Sequence, residues 1–299
     1  VWVGDRVWLE GIDWVARRAA VARVEPRQNL LQRPTVANVA RVVVVTALAE
    51  PDLDPLQLTR FLVAAEGSGA AVDLVLGKAD LVAEPVLREA CRDFETWGYP
   101  VFPLSTRTGL GLEDLRRHLR GGRGITVLCG PSGAGKSSLL NALAPELALR
   151  VAAVSGRLQR GRHTTRHVEL FPLPSEGAAV EPGGCFPDAV ALVADTPGFN
   201  RPELPADPVE LAQAFPEIRN RLNRGACRFR NCRHLGDPGC AVGLDWPRFP
   251  LYRQCLEDVE AQLAQASRSA PASRRRTTRR QAGADLSRPG REDSDPDLR

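Results

Sequence analysis

Residues 130–138 read GPSGAGKSS, and this stretch limits the fold more than any other. The spacing G-x-x-x-x-G-K-S makes a phosphate cradle where a buried strand gives way to a helix. Its glycines let successive backbone N–H groups turn toward one anion. ITVLCG before the stretch and SSLLNALAPEL after it supply both flanks. The pattern therefore predicts an α/β sheet with Gly130, Pro131, Ser132, Gly133, Ala134, Gly135, Lys136, Ser137 and Ser138 as a phosphate-binding loop at the C-terminal end of a strand. Lys136 is placed for the β and γ phosphates, and the Ser137 hydroxyl for Mg²⁺.

A guanine-reading N-K-x-D segment ordinarily follows such a loop, but none lies downstream of Ser138. The nearest counterpart is upstream, as GKAD at 77–80. Asp80 there can accept from the N1–H and 2-amino donors of guanine, a pair that adenine lacks, and the Lys78 stem can lie along the base. Residue usage supports joining the two segments. Of 40 basic residues 38 are arginine, and the two lysines are Lys78 and Lys136. A lysine kept against that bias marks a place for a compact ammonium on a flexible stem, where a planar guanidinium does not fit.

Periodicity divides the chain into a multidomain α/β protein. Residues 1–38 alternate apolar and polar with Gly4, Gly11 and Pro26 as punctuation, which predicts part of a small β-barrel. From 39 to 213 buried strands (ARVVVVTAL, AVDLVLGKAD, YPVFPLST, ITVLCG, VALVADTPGF) alternate with helical patterns, the signature of a mainly parallel sheet. GKAD, PLSTRTG, GPSGAGKS and DTPG all fall at strand C-termini, where such sheets bind ligands. Residues 214–266 read as loops and a helix at roughly 250–266. From Ser267 to Arg299 almost nothing is apolar, so a disordered tail is expected. That tail has nine arginines against five acids, while the other 266 residues carry 31 of each sign. No stretch has the length of an apolar membrane span, and VWVGDRVWLEG lacks the layout of a signal peptide. With no methionine anywhere, position 1 included, the true start is expected upstream.

Two further segments carry chemistry. In DTPG (195–198), Asp195 can hold Mg²⁺ through water and the Gly198 N–H can sense the γ-phosphate. In RHTTRH (162–167), Thr164 or Thr165 can supply a second hydroxyl to Mg²⁺, although a solvated basic loop explains the same residues. Cys227-x4-Cys232-x-His234-x5-Cys240 offers three thiolates and an imidazole, a set suited to one structural, tetrahedral Zn²⁺. Cys91, Cys129, Cys185 and Cys255 are expected to be structural. Seven cysteines of this kind fit a reducing, cytoplasmic compartment.

Taken together, GKAD, PLST, GPSGAGKS, HTT and DTPG are the fourth, fifth, first, second and third motifs of a GTPase in circularly permuted order. With VGDRV (3–7), RPTVANVARVVVV, GRHTTRHVEL, DTPGF and CRFRNCRHLGDPGCAV, the chain resembles the small-ribosomal-subunit-dependent GTPases of the RsgA (YjeQ) family up to about residue 266. The resemblance implies an N-terminal OB-fold, here incomplete at its start, a permuted P-loop GTPase domain and a C-terminal zinc domain. It also implies a monomer that binds GTP and GDP with Mg²⁺ and hydrolyses GTP on the small (30S) ribosomal subunit during late maturation, touching its rRNA and no membrane. Gly77, Lys78, Ala79 and Asp80 become the base reader, with Ser105 and Thr106 beside it. Lys136 and Asp195 join the catalytic set, and His163 takes the part of water-positioning histidine.

Two departures matter. Gly77 stands where the family motif begins with asparagine, and Phe199 follows DTPG where Ras-like enzymes carry glutamine. Two rival readings stand beside this one: a nucleotide kinase, because GPSGAGKSS also resembles guanylate-kinase loops, and an RNA-binding protein with a lapsed nucleotide site, which Gly77 and Phe199 favour. The first leaves GKAD, DTPG and the cysteines without a use. The second leaves Lys136, Ser137 and Asp195 unexplained.

Overall fold

The computed structural model describes residues 1–32, 35–122, 124–144, 168–173, 191–195 and 202–269. It has two compact units, Val1–Val259 and Glu260–Arg299. The first unit is organised by a six-stranded sheet with the order β7-β6-β5-β8-β10-β9. Its strands are β5 (Val39–Ala47), β6 (Ala71–Gly77), β7 (Val101–Pro103), β8 (Gly124–Cys129), β9 (Glu169–Pro172) and β10 (Ala191–Asp195). Every pairing is parallel except β9 with β10.

The run Val42–Val45 explains why β5 is central. A strand buried on both faces has no polar side to show, so its pattern is continuous rather than alternating. Val42 and Val44 enter one apolar cluster and Val43 and Val45 the other, none more than 1% exposed. Helix α1 (Pro55–Glu66) covers the first face with Leu58, Phe61 and Leu62. It starts where the Asp54 carboxylate accepts from the N–H groups of Leu56 and Gln57, with Pro55 behind it. Helix α2 (Glu84–Glu95) adds Phe94 to that face. Helices α3 (Leu112–Gly121) and α4 (Lys136–Leu143) cover the other with Leu115, Leu119, Leu139 and Leu143.

Over residues 1–38, where part of a barrel is expected, the structure has two separate antiparallel ladders. One pairs β1 (Val7–Asp13) with β2 (Arg18–Val24), and the other pairs β3 (Leu30–Gln32) with β4 (Thr35–Ala37). On the far side of α1, helices α5 (Pro208–Gln213), α6 (Pro216–Leu222) and the start of α7 (Phe249–Ser269) build a third cluster around Phe215, Trp246 and Tyr252. The sequence pattern ends that last helix near 266, with disorder from 267. Instead the helix runs to Ser269, because Ala266 and Ser267 prolong it without breaking it. The rest of the tail lies outside the described residues. Among the described residues no helix is long and apolar enough to cross a membrane.

One buried charge ties this third cluster to the sheet. Arg248 is fully buried and grips Glu217 with two bonds, Nε to Oε1 at 2.8 Å and Nη2 to Oε2 at 2.6 Å. Its guanidinium carbon lies 4.7 Å from the ring centres of Trp97 and Phe215 and 5.3 Å from that of Tyr99. Removing one partner of such a pair strands the other charge in a dry interior, at a cost of about 3–5 kcal/mol. Arg248→Met should therefore lower the unfolding free energy by about that amount in urea titration. Adding Glu217→Leu to it should restore part of the loss, because no charge is then left unpaired.

Candidate functional site

The parallel register brings the C-terminal ends of four strands to one edge, three of them followed by GKAD, PLST and GPSGAGKS. Ala47 pairs with Gly77, Leu76 with Pro103 and Val44 with Cys129, so the segments after β5, β6, β7 and β8 emerge side by side. The phosphate loop leaves β8 at Gly130, whose φ is +139°. A Cβ built there would stand 1.9 Å from the Val45 carbonyl oxygen, so the loop passes β5 at a distance only glycine allows. Gly135 is the left-handed cap of α4, and Ser137 and Ser138 lie exposed in the first turn. The Lys136 ammonium donates to the carbonyls of Gly130 at 2.8 Å and Pro131 at 2.7 Å, which holds it against the loop it serves. Half-burial lowers its pKa from the usual lysine value.

The base-reading segment lies against the same loop. A Cβ at Gly77 would come 3.1 Å from the Ala134 carbonyl oxygen and 3.3 Å from that of Thr46. The glycine at this position is thus matched by a close backbone approach. Lys78 takes a left-handed conformation and its ammonium donates to the Glu50 carbonyl. Ala79 is buried, and its N–H donates to the Leu104 carbonyl at 3.0 Å, fixing a short 3₁₀ turn at Ala79–Leu81.

Asp80 in that turn is met by the segment after β7. The Ser105 hydroxyl donates to Oδ1 at 2.5 Å and Arg107 Nε donates to Oδ2 at 2.7 Å. Ser105 is itself fully buried, and its oxygen accepts from the N–H groups of Arg107 and Thr108, both at 3.2 Å. Thr106 points to solvent. The Ser105 bond, and after it Arg107, hold the Asp80 carboxyl below the usual carboxylate range against the opposing effect of burial. The carboxylate is therefore ionised and preset at neutral pH.

Asp195 ends β10, one strand beyond β8 on the same edge. Gly198, Phe199, His163, Thr164 and Thr165 lie outside the described residues, so the switch segments add no geometry. Ser105 was expected at the site, but sequence reasoning missed two contacts: Arg107 on Asp80 and the Glu50 carbonyl under Lys78. A two-residue offset from Ser105 in STRTG was the one signal for Arg107. Nothing in the sequence marks a backbone carbonyl.

The cysteine–histidine cluster forms as expected. The ligand atoms of Cys227, Cys232, His234 and Cys240 all lie within 4.8 Å of one another. His234 Nδ1 is 3.6 Å from the Cys227 sulfur and 3.8 Å from that of Cys240. Tetrahedral zinc puts sulfur and nitrogen ligands about 3.6–3.8 Å apart, so these residues fit a closed four-ligand site. The N–H groups of His234 and Ala241 point at the sulfurs of Cys232 and Cys227, at 3.4 and 3.3 Å, as suits thiolates. Tyr252 anchors the loop by donating to the Arg233 carbonyl at 2.8 Å. The six described cysteines are free, with Cys129 and Cys255 buried and Cys91 half-buried. Cys185 lies outside the described residues.

Comparison with known proteins places this edge in context. The family model described as RsgA GTPase matches residues 24–205. The chain is 51% identical over 273 residues to the small ribosomal subunit biogenesis GTPase RsgA of Prochlorococcus marinus strain MIT 9303, covering 91% of this chain and 80% of that protein. It is 52% identical over 269 residues to the protein of the same name in Synechococcus sp. strain CC9605, covering 90% and 83%. Among solved structures, YjeQ from Thermotoga maritima matches with a TM-score of 0.66 at 29% identity, over 87% of this chain and 84% of that one. YloQ, described as a circularly permuted GTPase, matches with a TM-score of 0.65 at 29% identity, over 88% and 82%.

The Gly130 contact makes a sharp expectation. Gly130→Ala should unfold the loop or push it off β5, because 1.9 Å leaves no room for a methyl group. Backbone strain alone should cost about 1–3 kcal/mol. Calorimetric titration should show GDP binding lost, and thermal denaturation should show a lowered midpoint.

Proposed function

The chain belongs to the RsgA GTPase family, and from that premise we propose that it binds GTP at the shared strand edge and hydrolyses it while docked on the small ribosomal subunit during late maturation. The observation that carries this reading is the placement of the Lys136 loop and the preset Asp80 carboxylate at the ends of β8 and β6, which flank β5 on one sheet edge, with the Ala134 carbonyl close against Gly77. One group holds phosphates, the other reads guanine, and neither has an evident use without the other.

In this mechanism the loop N–H groups and Lys136 bind the β and γ phosphates. Lys136 exchanges the Gly130 and Pro131 carbonyls for phosphate oxygens. Ser137 and Thr164 or Thr165 would hold Mg²⁺, with Asp195 acting through water. Bound there, the ion would neutralise charge developing between the β and γ phosphates. The Gly198 N–H senses the γ-phosphate. Phe199 cannot orient water, so His163 does so when the subunit orders its segment. Asp80 selects guanine by accepting from two donors of the base.

The remainder of the chain serves docking. Residues 1–38 act as a partial OB-fold, 39–213 as the permuted GTPase domain and 214–266 as a zinc domain, with the two flanking parts meeting rRNA. Trp8 and Arg23 on the first ladder and Trp14 in the turn that joins its strands suit that contact, since Trp8 and Trp14 are more than half exposed and Arg23 stacks on Trp8. Cys227, Cys232, His234 and Cys240 would hold one Zn²⁺ that shapes the loop rather than reacting, as a full set of four protein ligands leaves no open position. The arginine-rich tail adds phosphate attraction. The protein works as a cytoplasmic monomer.

Phosphate release from GTP and from ATP, each with and without purified small subunits, tests this reading. GTP turnover should rise strongly with subunits while ATP stays inert. Absence of stimulation, or equal use of ATP, would move the chain toward an RNA-binding protein with a lapsed site. His163→Ala should abolish the stimulated rate and spare GDP affinity. Metal analysis should find one zinc per chain, lost in Cys240→Ser together with subunit binding but not with GDP binding.

A further inference from the structure

The base reader carries its own competitor. Asp80 is only 11% exposed, and its two oxygens are approached from opposite environments. Ser105 reaches Oδ1 from inside, fully buried and held by two backbone N–H groups. Arg107 reaches Oδ2 from solvent, with 73% of its side chain exposed. A carboxylate offers about four lone-pair sites, so the inner hydroxyl can stay while a base binds. The outer guanidinium is in a different position: it stands on the solvent side of Asp80, the side from which a base must arrive, so crowding there rather than the number of lone pairs sets it against the base.

Resting on the guanine reading above, we propose that Arg107 is a latch on Asp80 that closes the base pocket when no guanine nucleotide is bound. The latch assigns the 2-amino group of guanine to Oδ2, the oxygen that Arg107 holds. Entry of guanine exchanges one charge-assisted hydrogen bond for two donors of the base, and the released guanidinium returns to water. A base without a 2-amino group leaves Oδ2 to Arg107. The latch therefore lowers the affinity for guanine nucleotides selectively and keeps the carboxylate aligned between turnovers. It also gives the chain a positioning device at the place where Gly77 supplies no side chain. Gly77 brings only backbone to the phosphate loop, while the orientation of Asp80 rests on Ser105 and Arg107.

Calorimetric titration of the full chain with GDP and with IDP, which lacks the 2-amino group, tests the latch in wild type, Arg107→Ala and Arg107→Lys. Arg107 is exposed, so its replacement leaves the fold intact. Arg107→Ala should tighten GDP roughly two- to fivefold, the factor an exposed ion pair is worth. IDP affinity should hardly move, so the GDP-to-IDP ratio widens, and Arg107→Lys should fall between. Loss of a positive charge near the phosphates acts on both nucleotides alike and cancels in the ratio. An unchanged ratio with wild-type GDP binding intact would overturn the latch alone. Weaker GDP binding in Arg107→Ala would overturn it too, and would make Arg107 a support for the base. If wild type binds GDP no better than IDP and ADP, the guanine reading itself falls and the latch with it.

Discussion

Everything at the nucleotide edge depends on the double parallel pairing of β5. Seven of its residues pair with β6 and five with β8, and both of its faces are buried. A strand clamped in this way cannot slide, because a one-residue slip would exchange the two apolar faces and break both ladders. The ends of β6 and β8 are therefore fixed relative to one another across β5. That fixed spacing lets Gly77 and Ala134 meet through backbone atoms. It also explains why motif order along the chain can change without disturbing the site. Hydrogen bonds between strands depend on register, and the connection that leads into each strand can run elsewhere.

The same sheet anchors the part of the molecule that carries the cysteine–histidine cluster. Arg248 follows the cysteine cluster, and its cage includes Trp97 and Tyr99 from the turn between α2 and β7. The strand after that turn ends at Pro103, two residues before Ser105. Arg219 adds a 2.9 Å contact to Glu66 at the end of α1, and Arg60 on α1 pairs with Asp258 on α7. A buried ion pair is a weak source of stability compared with apolar packing, but it penalises every arrangement that leaves one charge unmatched. The Arg248–Glu217 pair therefore fixes the internal arrangement of the third cluster, and the packing of its guanidinium over Trp97 and Tyr99 seats that cluster toward the sheet.

Much of this was legible in the chain, for physical reasons that differ by element. The sheet was readable because strands buried on both faces leave continuous valine and leucine runs, as in β5, β6 and β8. The glycine-rich turn after β8 was readable because glycine spacing reports backbone geometry directly, and the positive φ of Gly130 agrees with it. The cysteine cluster was readable because four soft ligands in fourteen residues have few other uses. Helix lengths were less so: α7 extends to Ser269 because alanine, glutamine and arginine favour a helix even where no apolar period marks it in the sequence. Contacts across the fold were not legible. Arg248 and Glu217 lie 31 residues apart, Arg107 and Asp80 27 apart, and each arginine is one of 38 with the same local look.

That excess of arginine makes the choice at the site informative. Where the chain needs an ion pair it uses arginine, as in the contacts of Arg27 to Asp5, Arg41 to Asp73, Arg248 to Glu217 and Arg107 to Asp80. Where it needs a cation that changes partners inside a tight loop it keeps lysine. The Lys136 ammonium bridges the carbonyls of two successive residues, Gly130 and Pro131, a convergence that suits a compact head with three donors and not a planar fork. Half-buried and, among the described residues, bonded to neutral carbonyls, it gains more from an arriving phosphate than a cation already paired with a carboxylate would. Arg107 shows the opposite case. Its charge is matched by Asp80, so it can rest on that carboxylate between ligands, and its exposed stem lets it leave at little cost. Lys136 and Arg107 thus differ in the chemistry that each proposed role asks for, one to hold a ligand and the other to yield to one.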